Sequence, residues 1–143
     1  MKVIKSLEQI LGYSYLLYFK TQNYHWNVEG LNFRSLHLLF EGQYKDLEKS
    51  LDDFAERIRT LGAKVPTLSH LIKLATIDEG NPNAEASEML KSLIKDQDII
   101  GDILYKALKI VQAEGDEGTT DMIVERIKVH EKNKWMLKSS TLF

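Results

Sequence analysis

Five side chains in one stretch of the sequence are of the types that bind metal ions. His25 and His37 supply imidazole nitrogens, and Glu41, Asp52 and Glu56 supply carboxylate oxygens. Two imidazoles combined with carboxylates suit divalent iron, with zinc and manganese as competing ions. We therefore predict that these five side chains form a metal site, and the helices that carry them must bring them together.

Four of the five candidates lie on one predicted helix. From residue 33 to residue 61, apolar side chains recur mostly at steps of three or four residues, which predicts a single long helix. At about 100° per residue, Glu41, Asp52 and Glu56 all fall within roughly 100° of His37 around the helix axis. The four side chains therefore share one face of the helix, beside its apolar stripe.

The spacing along this helix separates the candidates into two pairs. His37 and Asp52 are ~22 Å apart along the axis, whereas the ligands of one metal lie ~2 to 2.5 Å from it. The pair His37/Glu41 and the pair Asp52/Glu56 therefore cannot bind the same ion within one chain. A second, antiparallel copy of the helix, crossing near residues 46 and 47, brings the two pairs together twice about a two-fold axis. The spacing thus predicts an obligate oligomer.

Five segments of the sequence form a recognisable set: HWNVEG (25–30), FRSLH (33–37), FEGQY (40–44), DDFAERIRTLG (52–62) and HEKNKWMLKSS (130–140). Together they resemble the signature of the Dps family, a group of small ferritin-like proteins that assemble into hollow dodecamers, and the similarity covers nearly the whole chain. His25, His37, Asp52 and Glu56 each match a ferroxidase ligand of that family. Glu41 stands where the family often has Asp. The glutamate keeps the negative charge but carries it on a longer side chain.

The resemblance implies a specific activity. The protein is expected to be a ferroxidase that oxidises Fe²⁺ to Fe³⁺, preferably with hydrogen peroxide, and stores ferric oxide inside a hollow shell, which protects DNA from oxidative damage. It also implies a homododecamer whose iron sites lie at the two-fold interfaces between subunits. Zn²⁺ and Mn²⁺ are alternative occupants of those sites.

The rest of the sequence predicts a single all-α domain over residues 1–143. Apolar periodicity and turn residues indicate four long helices and one short helix. The long helices are expected over about 6–28, over 33–61 with Asn32 as N-cap and Gly62 as the stop, from Asn83 to about 114, and from the segment DEGTTD to about Lys138; the short one lies in Ser69–Thr76. One long crossover connection fits a ferritin-like four-helix bundle.

Composition excludes several classes of function. The chain has no cysteine, so disulfides and thiolate sites are excluded, and its net charge of −2 gives no broad basic field for nucleic acid. Lys2 and Lys5 are the only basic residues near the N-terminus, so we expect DNA binding to be weak or absent at neutral pH. The N-terminal segment is too polar for a signal peptide or a membrane span. We therefore expect a cytoplasmic protein; association with the nucleoid is the alternative.

Two other classes of protein fit parts of the sequence. One is a nucleoid-binding protective protein with little ferroxidase activity, and the other is a structural bundle whose polar face only forms an interface.

Asp116, Glu117 and Asp121 also have two interpretations. They either supply favourable charge at the start of a helix, or they line a three-fold cation pore, as the resemblance implies. His70 and His130 are interpreted as structural or surface groups.

Overall fold

The computed structural model of the chain describes residues 1–141, which form five α-helices and, within that range, no strand. The helices are α1 (Lys2–Asn27), α2 (Phe33–Thr60), α3 (Leu68–Ile72), α4 (Ala86–Ala113) and α5 (Glu117–Ser139). The four long helices form the bundle, in which α1 packs against α2 and α4, and α4 packs against α5. Helix α3 lies in the long α2–α4 connection and packs against α1. The predicted fold class, including the short extra helix, is confirmed.

Three predicted helix boundaries were wrong for local reasons. Helix α1 begins before residue 6, because the backbone N–H of Lys5 already donates to the carbonyl of Met1, and Ser6 is buried inside the helix. Helix α4 does not begin at Asn83, because that residue's N–H donates to the side chain of Asn81 in a turn. The N-cap is Glu85 instead. The short helix is also shorter than predicted and ends at Ile72.

The core is continuous along the bundle and consists of the apolar stripes that the sequence predicts. Its largest fully buried apolar side chains include Leu7, Leu11, Phe40, Leu47, Phe54, Ile58, Met89 and Leu93. No helix in the described part of the chain combines the length and the apolar character needed to cross a membrane. The stripe of α2 is turned towards the core, which leaves the adjoining polar face of α2 outside the packed interior.

One buried ion pair joins α1 to α4. The Lys20 ammonium is fully buried and lies 2.7 Å from Oδ2 of Asp96 and 3.1 Å from Oδ1 of Asp78. Burial raises the pKa of Asp96 against the opposing effect of Lys20, whereas the hydrogen bond from Lys20 lowers the pKa of the more exposed Asp78. Removing either member of a buried pair leaves an uncompensated charge. The pair therefore holds the register of α1 against α4.

Gly12 allows α3 to approach α1 closely. A Cβ atom at position 12 would lie 2.1 Å from the carbonyl oxygen of Leu71, which is backbone and cannot move aside as a side chain can. The absence of a side chain at Gly12 is therefore what lets the α2–α4 connection lie against the bundle.

We expect Gly12→Ala to destabilise the protein by about 1 to 3 kcal/mol, because the added methyl group overpacks the α1–α3 contact. Gly101→Ala is the matched control, since Gly101 also lies inside a long helix but has open space around its Cα. That control should be neutral or stabilising by up to ~1 kcal/mol. Thermal unfolding of both variants measures the difference, and equal unfolding temperatures would contradict the proposed contact.

Candidate metal centre

The connection between α1 and α2 places His25 and His37 against each other. Helix α1 ends at Asn27, and Gly30, with a φ of 115°, turns the chain back so that α2 begins at Phe33. His25 lies in the last turn of α1 and His37 in the second turn of α2. Their rings stack with a centroid separation of 3.8 Å and an interplanar angle of 15°.

Each of the two imidazoles is oriented by the backbone of the other residue. Nδ1 of His25 lies 2.7 Å from the carbonyl oxygen of His37, and Nδ1 of His37 lies 2.7 Å from the carbonyl oxygen of His25. A carbonyl oxygen only accepts hydrogen bonds, so each Nδ1 carries the proton and donates. In the neutral rings both Nε2 atoms therefore hold a free lone pair, which is the state that a metal ligand requires.

Glu41 lies beside the two free imidazole nitrogens. One turn after His37 on α2, its Oε1 is 3.8 Å from Nε2 of His25, and its Oε2 is 3.4 Å from Nζ of Lys45. Ligand atoms of His25, His37 and Glu41 all lie within 4.8 Å of one another. Two ligands at ~2.1 Å from one ion can be at most ~4.2 Å apart. These three side chains therefore fit a divalent ion after a small side-chain adjustment.

An aromatic ring packs against each imidazole of this cluster. Tyr44 lies edge-on to His25 with a centroid separation of 5.2 Å, and Phe33 stacks on His37 at 5.0 Å. The His25 side chain is 7% exposed, whereas that of Glu41 is 33% exposed. Trp26 points away from the core, 55% exposed, with its ring against Phe19. The cluster is thus buried at His25 and open to solvent at Glu41.

The structure does not bring Asp52 and Glu56 to this cluster. Both side chains are exposed further along α2. Within residues 1–141, the one group of three or more potential ligands that is close enough for a metal ion is His25, His37 and Glu41. Three of the five predicted ligands therefore meet in a single chain, and the sharing of the other two between chains stays a prediction.

Asp116 has a structural role at the start of α5. Its Oδ1 accepts hydrogen bonds from the backbone N–H of Thr119 at 3.0 Å and from Nη2 of Arg57 at 2.9 Å. Burial acts to raise the pKa of Asp116, but the hydrogen bonds from Thr119 and Arg57 outweigh it and hold the pKa below its ordinary value. Glu117 and Asp121 are exposed. The helix-start interpretation thus holds for Asp116, and the pore stays a prediction.

A buried polar network around His130 was not predicted from the sequence. Nδ1 of His130 donates to Oε1 of Gln97 at 2.7 Å, and Nε2 accepts from Nη2 of Arg126 at 3.1 Å. Arg126 also donates to Asp46 at 2.9 Å. Burial, assisted by the Arg126 guanidinium, lowers the pKa of His130 to about 3. Both ring nitrogens make hydrogen bonds, so His130 is not a metal ligand and instead helps to link α4, α5 and α2. The only indication of this role in the sequence was the position of His130 in the apolar stripe of α5.

Comparison with known proteins agrees with the fold. The sequence profile of the ferritin-like domain family matches residues 4–141. The DNA protection during starvation protein of Brevibacillus brevis is 36% identical over 126 residues, covering 87% of this chain and 84% of the relative. These matches define a ferritin-like protein.

Solved structures narrow the class further. Dps from Staphylococcus aureus superposes with a TM-score of 0.94 at 32% identity, covering 99% of this chain and 95% of that one. The Dps protein from Vibrio cholerae O1, described as a member of a broad superfamily of ferritin-like diiron-carboxylate proteins, gives a TM-score of 0.92 at 32% identity, covering 99% and 89%. The chain belongs to the Dps family of ferritin-like proteins.

We expect His37→Ala to weaken the binding of Co²⁺, used as a redox-stable probe, by at least roughly tenfold, because it removes a ligand and the partner of His25. His70→Ala is the control, since His70 is an exposed histidine outside the cluster. Anaerobic titration followed by the visible absorption of Co²⁺ measures both. Equal affinity in the two variants would show that the metal binds elsewhere.

Asp116 should contribute stability that depends on pH. Because its folded pKa is lowered, the contribution is present above the unfolded pKa of ~3.9 and is lost as the pH falls towards the folded value. Asp116→Asn keeps an acceptor at the N-cap but cannot ionise, so its thermal stability should fall less than that of the unaltered protein between about pH 6 and pH 3. Glu117→Gln, an exposed neighbour, should retain the full dependence. Identical slopes for all three proteins would contradict this assignment.

Proposed function

We propose that this protein is an iron-oxidising and iron-storing ferroxidase whose active site is shared between two subunits. The observation that carries the proposal is the His25/His37 pair, whose Nδ1 atoms are bonded to backbone carbonyls while a ligand atom of each ring lies within 4.8 Å of a Glu41 carboxylate oxygen. A polar cluster that only formed an interface would not need two histidines whose Nδ1 atoms are fixed by backbone carbonyls and whose Nε2 atoms are left free.

The partner subunit is needed because three ligands leave the charge of the ion under-neutralised. Asp52 and Glu56 project from the same face of α2 but lie too far along it to reach His37 in their own chain. In an antiparallel dimer about a two-fold axis, Asp52 of the partner subunit and Glu56 of the partner subunit complete each site. The hard carboxylate oxygens favour the more highly charged ferric product, which assists oxidation.

Fe²⁺ is the substrate of the proposed reaction and hydrogen peroxide is the preferred oxidant. Two Fe²⁺ ions give up one electron each, the O–O bond of one peroxide accepts the pair, and two protons complete two water molecules. Pairing both electrons with one peroxide avoids the release of a hydroxyl radical. His25 and His37 hold the ion through Nε2 and leave positions open for the oxidant, while Tyr44 and Phe33 pack against the two rings and orient them.

The wider function follows from family membership and from composition. We infer a hollow dodecamer that stores the ferric product as an oxide mineral and acts in the cytoplasm. Relatives such as the Brevibacillus brevis protein are named for DNA protection during starvation. The net charge of −2 favours protection of DNA through removal of Fe²⁺ and peroxide rather than through a tight DNA complex.

The variant Asp52→Ala should reduce the rate of peroxide-driven Fe²⁺ oxidation by at least roughly tenfold, because every site loses one carboxylate ligand from the partner. Asp53→Ala is a closely matched control: it removes the neighbouring exposed carboxylate, which points about 100° away around α2. Stopped-flow absorbance of Fe³⁺ under anaerobic conditions measures both rates.

Native mass determination accompanies this assay. Both variants and the unaltered protein should assemble into particles of about twelve chains. Normal oxidation by assembled Asp52→Ala would remove Asp52 from the site. A stable monomer that oxidises iron rapidly would contradict the shared site altogether. Salt-dependent retardation of DNA together with slow oxidation would favour the nucleoid-binding alternative.

A further inference from the structure

The Lys45 ammonium occupies the outer side of the proposed metal ligand Glu41. Nζ of Lys45 is 3.4 Å from Oε2 of Glu41, while Oε1 of the same carboxylate is turned towards His25. The Lys45 side chain is 62% exposed, so it is free to change partner. A cation held against a ligand carboxylate opposes the binding of a metal cation there, because it neutralises the charge that attracts the metal.

Glu48 is a second charged residue on the same face of α2. At about 100° per residue it lies roughly 20° from His37 around the helix axis, and Lys45 lies roughly 80° from His37. Glu48 is exposed and makes no ion pair within residues 1–141.

The antiparallel arrangement that completes the metal site also pairs these two residues. This step rests on the proposed function. If α2 crosses its copy between residues 46 and 47, then residues 45 and 48 each lie about 2 Å along the axis from the crossing, on opposite sides. Two-fold symmetry therefore sets Lys45 of each chain opposite Glu48 of the partner subunit, which gives two equivalent ion pairs per dimer.

We propose that Lys45 exchanges carboxylate partners on assembly: it pairs with Glu41 in the single chain and with Glu48 of the partner subunit in the dimer, which frees Glu41 for the metal. Lys45 and Glu48 are positioning residues in this scheme, since neither contacts the metal or the oxidant. The exchange makes the negative charge of Glu41 available to the metal only when the dimer has formed. A chain that has not yet found its partner holds metal weakly, and the assembled site holds it with full ligand charge.

A double-mutant cycle on the assembled protein tests the exchange. Anaerobic Co²⁺ titrations compare the unaltered protein with Glu48→Gln, Lys45→Met and the double variant, each first shown by native mass to be assembled. Glu48→Gln should weaken Co²⁺ binding by roughly threefold to tenfold, because Lys45 returns to Glu41. Lys45→Met should match the unaltered protein within about twofold, and the double variant should match Lys45→Met.

Each contrary result has a distinct meaning. Unchanged affinity in Glu48→Gln, or an equal loss in the double variant, would overturn the exchange, because the effect would then not pass through Lys45. Tighter binding in Lys45→Met alone would show that Lys45 stays on Glu41 in the assembly. Lys49→Met, which removes a nearby exposed lysine that lines the α2–α5 groove instead, should leave affinity unchanged.

Two further controls keep the exchange and the proposed function apart. If Glu48→Gln does not assemble, the Co²⁺ affinities of Lys45→Met and the unaltered protein are compared instead. Equal affinities support the exchange, and tighter binding in Lys45→Met overturns it. Asp52→Ala is titrated alongside. Weakened Co²⁺ binding in Asp52→Ala with no response to Glu48→Gln would reject the exchange and leave the shared site intact, whereas unaltered binding in Asp52→Ala would reject the shared site itself.

Discussion

The paired hydrogen bonds between His25 and His37 are the interaction on which the proposed site depends. Each imidazole donates to the backbone carbonyl of the other residue at 2.7 Å, so the end of α1 and the beginning of α2 hold each other in place. The same two bonds determine the tautomer of both rings and leave both Nε2 atoms free. One local arrangement therefore closes the α1–α2 corner and prepares two metal ligands, which explains how a site so near the surface can be ordered before metal binds.

The other strong polar contacts of the bundle lie away from this corner and serve a different purpose. Lys20 with Asp96 joins α1 to α4, and Arg57 with Asp116 joins α2 to the start of α5. Each of these contacts satisfies charged groups between helices of the same chain, whereas Glu48, Asp52 and Glu56 on the polar outer face of α2 make no such ion pair within residues 1–141. A rigid helix with ligands at both ends of one face cannot fold them onto a single ion. The proposed completion of the site by a second copy rests on this rigidity.

Much of the fold could be predicted from the sequence because it depends on periodicity. The long helix α2, the four-helix bundle and the common face of His37 and Glu41 all follow from apolar spacing. The beginning of α4 did not, because a side-chain contact in the Asn81 turn decides it. The stacking of His25 on His37 could not be predicted, since helical spacing gives the face of a helix but not the turn that brings two helices together. The contact of Lys45 with Glu41 is an i, i+4 pair, which helical spacing allows.

A subunit-complementation experiment tests the shared site most directly. Chains carrying His37→Ala and chains carrying Asp52→Ala are unfolded, mixed in equal amounts, reassembled and assayed for peroxide-driven oxidation of Fe²⁺, beside each variant reassembled alone. Each variant alone should be inactive. If the site is shared, random pairing makes half of the dimers mixed and each mixed dimer regains one intact site, so about a quarter of the native activity should return. If both residues acted within one chain, mixing would restore nothing, and that result would contradict the account.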